Sequence, residues 1–163
     1  MDGQARLYLL PGETVLLPVD VVNWPLVANT LKQQTMVNVR LVAFAEGMTA
    51  WDSPDAYKAS HSESRHQGVR WIVPTGLFPE EKGGTGRATA TITGVVEQAE
   101  SRVNGLTQAP FRWLRLETSG ATLDVVAADG PLPPVGGIVR GHFWLASHIE
   151  PAAPDSLLHV NVR

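Results

Sequence analysis

The chain has 163 residues, enough for one domain with a full hydrophobic core, and its 44% apolar content excludes a disordered chain. With a net charge of −3, it lacks the basic footprint expected of a protein that binds duplex DNA. Because cysteine is absent, neither a disulfide framework nor a thiolate metal site can form. The 15 glycines and 12 prolines favour short strands and turns over long helices.

The N-terminal residues predict no secretory signal, since Asp2 is acidic and no long apolar run follows it. No apolar run approaches the roughly 20 residues that cross a bilayer as a helix. A chain without cysteine also suits a reducing compartment, so we expect a cytoplasmic protein with no membrane partner.

Residues 1–85 are expected to form a β-rich extension that packs on the rest of the chain. Residues 6–10 and 14–22 predict two strands, and the turn pair Pro11-Gly12 between them predicts a hairpin. The next segment, 24–34, is compatible with a short helix. With few convincing strands, these residues offer too thin a core to fold alone.

Residues 35–46 alternate with a period of two and predict a strand with apolar side chains on both faces. Val37, Val39 and Leu41 occupy one face, and Val42 and Phe44 occupy the other. Such a strand needs cover on two sides, from the extension itself or from a second subunit. On this ground we expect a homodimer.

Three shorter features follow before residue 86. Ser53 and Pro54 predict the N-cap and the first position of a short helix over residues 54–60. Residues 69–73 predict a strand, and the charged, glycine-rich residues 79–86 predict a linker.

The stretch from residue 86 to 149 predicts four strands separated by turns or proline-rich loops. The first strand runs to Val103, and Gly94 in its middle predicts a bulge or a sharp bend. Asn104 and Gly105 then predict a hairpin. Period-two counting assigns one apolar face to each strand, made of Ala88, Ala90, Ile92, Gly94 and Val96; Leu114 and Leu116; Leu123, Val125 and Ala127; and Val139, Phe143, Leu145 and Ile149.

The order of these strands resembles the OB-fold, a five-stranded Greek-key barrel. The resemblance rests on a long first strand bent at a glycine (92–96, ITGVV), a hairpin, a connection, and a fourth strand that opens with a glycine turn (137–141, GIVRG). The connection 129–137 departs from the fold, because it is too short and proline-rich for a helix. The segment from Gly141 to Leu145 is also similar to a G-x-F-W-L segment of certain bacterial proteins.

The resemblance implies a mainly β protein in which an OB-like antiparallel barrel spans residues 86–163. The fifth barrel strand is expected over residues 157–162. Residues 1–85, with their short helix, then form the N-terminal extension packed on the barrel.

One aromatic and cationic surface is predicted from the faces opposite to the apolar ones. It carries Phe111, Trp113 and Arg115 on the second strand, and Arg140, His142 and Trp144 on the fourth. Bases stack on aromatic rings and guanidinium groups contact phosphates. The candidate site for single-stranded nucleic acid is therefore Trp113, Arg115, Arg140, His142 and Trp144. The alternative is that both tryptophans pack against the extension, since tryptophan is usually buried with its N–H on a partner.

Residues 52–66 offer a weaker candidate for small-molecule or metal-dependent activity. Their metal-ligand types are Asp52, His61, Glu63 and His66. Histidines five residues apart do not share a helix face, so a solvated loop is expected instead. The motifs of hydrolases, P-loops and dinucleotide-binding turns are absent from the chain. We therefore expect no enzyme, no metal and no cofactor.

Two classes of function remain. The first is a protein-interaction module, in which the aromatic rings belong to the core or to an interface. The second is a binding module for single-stranded nucleic acid.

Overall fold

The computed structural model describes residues 4–9, 15–29, 38–61, 68–77, 86–150 and 160–161, so most of the predicted linker 79–86 lies outside it. In these ranges the protein is mainly β, as expected, and contains two short helices. Neither of the two is long or apolar enough to cross a membrane. The elements are β1 (Gln4–Leu9), β2 (Val15–Val21), α1 (Trp24–Val27), β3 (Asn38–Trp51), α2 (Pro54–Ser60), β4 (Trp71–Pro74), β5 (Thr89–Val103), β6 (Pro110–Glu117), β7 (Thr122–Ala128), β8 (Ile138–Glu150) and β9 (Val160–Asn161).

Five strands close into a barrel in which each is hydrogen-bonded to two others. The order is β5-β6-β7-β3-β8, and β8 pairs again with β5 to close the circle. Neighbouring strands are antiparallel except β3 and β7, which run parallel. The barrel is therefore mixed and not wholly antiparallel as predicted, because β3 reaches β7 from an earlier part of the chain and not through a hairpin.

The fifth barrel strand is β3. The expectation that residues 157–162 supply this strand was wrong for residues 160 and 161, which are the ones that the structure describes. Val160 and Asn161 pair instead with β1. β3 pairs with β8 along its whole length. Ala43 of β3 is fully buried in the core, and Phe44 on the opposite face stacks on Trp144. The two-sided apolar pattern of β3 thus finds contacts on both faces within one chain.

The remaining strands flank the barrel. β4 pairs with the first part of β5, β2 runs parallel to β8, and β1 and β9 follow β2. The predicted hairpin within residues 6–22 is confirmed as β1 and β2. Leu17 and Val19 of β2 are fully buried and join the same hydrophobic cluster as the barrel interior. The domain boundary at residue 85 stays a prediction, although β3 lies N-terminal to it.

The long strand β5 changes partners next to Gly94, whereas its register irregularity lies between Val96 and Gln98, so the bulge or bend at Gly94 stays a prediction. Its first part pairs with β8 from Thr89 to Val95, and its second part pairs with β6 from Val95 to Val103. A Cβ atom at Gly94 would lie 3.0 Å from the carbonyl oxygen of Glu117, so a larger residue would push β6 away. The residues of the four predicted apolar faces are all buried.

Helix α2 begins where the sequence predicts it. The N–H of Ala56 donates to Ser53 Oγ at 3.1 Å, which confirms the N-cap. Tyr57 on this helix is fully buried, and its ring meets Trp51 edge to face with centroids 5.0 Å apart. The capped helix is thereby packed against the end of β3.

The hairpin predicted at Asn104 and Gly105 is confirmed, since β5 and β6 are antiparallel neighbours. Residues 104–109 form a loop between β5 and β6. Asn104 Oδ1 accepts the N–H groups of Leu106 and Thr107, so the asparagine stabilises the loop through its side chain.

Candidate functional site

One outward surface of the barrel combines an aromatic ring with cations, and it lies across β4, β5 and β8. In β4, Ile72 is buried in the core, so Trp71 and Val73 point outward. The register places Thr93 between Trp71 and Arg140, and Thr91 between Val73 and His142. We call this surface the Trp71 face; it consists of Trp71, Val73, Thr91, Thr93, Arg140 and His142.

A cavity of about 500 Å³ opens in the Trp71 face and is lined by Gly68, Arg70, Trp71, Val73, Thr91 and Arg140. The Arg140 guanidinium carbon lies 5.2 Å from the centroid of the Trp71 ring, within cation–π range. Arg70 donates to Glu117 at 2.8 Å, whereas Arg140 has no carboxylate partner among the residues that the structure describes. The cavity thus offers an aromatic surface beside a guanidinium charge that no described carboxylate neutralises.

Two polar atoms of the Trp71 face are buried without a hydrogen-bond partner, Trp71 Nε1 and Thr93 Oγ1. Thr93 is 0% exposed. Leaving a buried polar group unpaired costs about 1–3 kcal/mol, so native proteins rarely do so without a reason. The adjacent hydroxyl of Thr91 is paired, since it lies 3.0 Å from His142 Nδ1. Trp71 Nε1 and Thr93 Oγ1 therefore lack hydrogen bonds on a face where the neighbouring Thr91 hydroxyl has one.

Trp144 lies beyond this cavity and already has partners. Its ring stacks on Phe44 with centroids 5.0 Å apart, and its Nε1 donates to Asp20 Oδ2 at 2.5 Å. With one ring face and the N–H engaged, the side chain ties β8 to β2 and β3. It is nevertheless 37% exposed, so part of the ring remains accessible.

Trp113 and Arg115, the other predicted tryptophan and arginine, lie on a different surface. They belong to β6, where Trp113 is opposite Glu100 near the end of β5. Trp144, by contrast, is opposite Thr89 at the start of β5. The structure therefore brings together Arg140 and His142, with Trp144 next to them, and separates them from the β6 pair. A nucleic-acid role for the five residues stays a prediction.

The surface around Trp113 carries cations that have acidic neighbours. We call it the Trp113 face; it consists of Phe111, Trp113, Arg115, Glu97, Glu100 and Arg102. The Arg102 guanidinium carbon lies 3.9 Å from the Trp113 ring centroid, and the same group contacts Glu100 at 2.8 Å. Arg115 Nε lies 3.7 Å from Glu97. Both arginines of this face are thus paired with carboxylates.

Sequence reasoning missed Trp71, Arg70 and Thr93. The strand over residues 69–73 was predicted, and alternation within it already separates Trp71 from Ile72. This alternation was the only feature of the strand that could have identified Trp71 as an outward-facing residue. The register of β4 against β5, which brings Trp71 next to Thr93, could not be obtained from the strand itself.

The polar segment 52–66 is described only in part, because Glu63 and His66 lie outside the described residues. His61 stacks on Tyr57 with centroids 4.4 Å apart and lies 5.3 Å from Trp51. Across the portion of the chain that the structure covers, no group of three or more histidine, aspartate or glutamate side chains is placed to hold a metal ion.

Comparison of the chain with protein-family models, with curated proteins and with solved structures gave no match. The functional interpretation therefore depends on the chemistry of the Trp71 face and on the topology of the barrel.

Proposed function

We propose that this protein is a non-enzymatic binding module for single-stranded nucleic acid and that its ligand lies on the Trp71 face. The observation that carries the proposal is the position of the Arg140 guanidinium, which lies beside the Trp71 ring and lines the cavity. Among the described residues, this guanidinium has no carboxylate partner. Proteins bind single strands with this combination, because bases stack on rings and guanidinium groups attract phosphates.

The topology of the barrel supports the proposal. We interpret it as an OB-type barrel, a fold that often binds oligonucleotides. On this interpretation β5, β6 and β7 are the antiparallel meander and β8 closes the barrel against β5. On the same interpretation β3, which precedes the other four strands in the chain, takes the place of the fifth strand, and the arrangement would be a circular permutation of the OB-fold.

Charge distinguishes the two candidate faces. In OB barrels the ligand commonly lies across strands two and three, which correspond here to β6 and β7 and thus to the Trp113 face. A phosphate on that face would compete with Glu97 and Glu100 for the arginines. Exposed ion pairs are weak, but their carboxylates place negative charge where a phosphate would have to lie. The Trp71 face is therefore the better site for an anionic strand.

Titration with oligo-dT at low salt, followed by tryptophan fluorescence, tests the proposal. Stacking should quench the emission, and added salt should reverse the quenching, because phosphate contacts supply much of the affinity. Trp71→Ala should weaken binding by about 1–3 kcal/mol, the usual contribution of one base stacked on an aromatic ring.

Trp113→Ala is the matched control, because Trp113 also lies on the outside of the barrel beside an arginine. This variant should bind oligo-dT as the wild type does. A loss of binding in Trp113→Ala but not in Trp71→Ala would transfer the site to the Trp113 face. If oligo-dT causes no quenching of the wild-type protein at low salt, nucleic acid is not the ligand.

A protein-interaction module is the second candidate, and the loop between β5 and β6 supports it. Leu106 in this loop is 97% exposed, and Val103 beside it is 59% exposed. Exposed apolar side chains are suited to contact with another protein, and we propose a second copy of this chain as the partner.

Sedimentation equilibrium at high micromolar concentration tests this homodimer. The wild-type protein should sediment as a dimer, and Leu106→Ser should shift it toward monomer because the apolar contact is lost. A wild-type species that stays near 17.6 kDa would contradict the dimer.

A further inference from the structure

We infer that Trp71 and Thr93 together recognise a carbonyl oxygen of an unpaired base, so that the Trp71 face prefers thymine or uracil to adenine. This recognition rests on the proposed binding of single-stranded nucleic acid and adds the chemical group that the face selects.

The two groups are neighbours on the sheet. Trp71 and Thr93 are directly opposite each other in the antiparallel pair of β4 and β5, so their Cβ atoms are about 4.5–5.5 Å apart. Their Nε1 and Oγ1 atoms are both buried and both lack a hydrogen-bond partner. An indole N–H can only donate and a hydroxyl can also donate, so the pair suits a ligand atom that accepts.

Burial decides which acceptor suits the pair. A phosphate oxygen is charged and would lose strong hydration next to Thr93, which has no exposed surface. A neutral carbonyl oxygen is far less costly to remove from water. Thymine and uracil carry carbonyl oxygens, whereas adenine carries none. The pair therefore selects among bases, and the phosphate remains with Arg140, since Arg70 is already paired with Glu117.

Arg140 connects base recognition to the phosphate backbone. It is opposite Thr93 in β8, and its guanidinium carbon lies 5.2 Å from the centroid of the Trp71 ring. The guanidinium thus lies beside the Trp71 ring, on the residue that is paired with Thr93 across the strands. On this inference, Arg140 turns outward to a phosphate when the strand binds and so exposes the buried Nε1 and Oγ1 atoms to a base.

Thr93→Val tests the pair, because valine has nearly the shape of threonine and lacks the hydroxyl. Two effects of opposite sign are expected. Removal of an unpaired buried hydroxyl should raise the Tm of the free protein by about 2–4 °C. The same change should weaken binding of oligo-dT about tenfold and leave binding of oligo-dA unchanged, because adenine offers no carbonyl oxygen.

Thr89→Val is the matched control, since Thr89 lies on the same strand and its hydroxyl is paired with Thr75 Oγ1 at 3.1 Å. Its Tm should not rise, and it should bind both oligonucleotides as the wild type does. Trp71→Phe is the second test variant, because it keeps a ring for stacking and removes the N–H donor. It should reduce binding of oligo-dT more than binding of oligo-dA.

Comparing each variant with the wild type on the same oligonucleotide removes the effect of self-stacking in oligo-dA. Equal losses for both oligonucleotides in Thr93→Val would indicate a phosphate oxygen and overturn recognition of the base. Unchanged binding of oligo-dT, or a lower Tm, would also overturn it, while the binding module itself would stand. If the wild-type protein binds neither oligonucleotide, the proposed function fails and this recognition fails with it.

Discussion

A fragment of residues 86–163 should remain unfolded, although it contains β5, β6, β7 and β8. It lacks β3, which pairs with both β7 and β8. Without that strand, the barrel cannot close, the facing edges of β7 and β8 lose their hydrogen-bond partners, and the core opens to water. Circular dichroism and urea titration of the fragment should show no cooperative unfolding transition.

A fragment of residues 38–163 is the matched comparison, because it keeps all the strands of the closed barrel. It should unfold cooperatively but at lower urea concentration than the full chain, since it loses the buried Leu17 and Val19 of β2. Cooperative, reversible unfolding of the 86–163 fragment by itself would show that β3 is not an obligatory part of the barrel.

Asn23→Ala should lower the free energy of unfolding by about 2–4 kcal/mol. The Asn23 amide donates from Nδ2 to the carbonyl oxygen of Ile149 at 2.7 Å and accepts the Ile149 N–H at 3.0 Å. It continues the parallel pairing of β2 with β8 by one more step after the β2 backbone has turned away. Alanine at position 23 would leave the N–H and the carbonyl oxygen of the buried Ile149 without these hydrogen bonds. Thermal and urea unfolding of the variant measure the loss.

Val22→Ala is the control for this substitution, because Val22 is adjacent in the chain and its side chain is 62% exposed. Its stability should stay within about 0.5 kcal/mol of the wild type, as is usual for surface substitutions. Asn23→Asp should also be destabilising, since a carboxylate can accept the Ile149 N–H but repels the Ile149 carbonyl oxygen. Wild-type stability in both Asn23 variants would show that β2 and β8 are held together by other contacts.

Structural features that depend only on residues close together in the sequence could be predicted from the sequence alone. The buried faces of β5 to β8 follow from alternation, because residues i and i+2 point to the same side of a strand whatever strand lies next to it. The N-cap at Ser53 likewise depends on backbone geometry within a few residues. Arg140 and His142 were placed on one outward face by the same alternation.

Features that depend on distant residues were decided only by the tertiary structure. Alternation pointed both Trp113 and Trp144 away from the core, but β5 changes partners at Gly94 and so places them on separate surfaces. Trp71 became a site residue only because β4 pairs with β5 and brings it beside Thr93. In the same way β3, and not the C-terminal segment, closes the barrel. Strand pairing is set by burial and hydrogen bonding over the whole sheet, and the pattern within one strand contains no information about its partner.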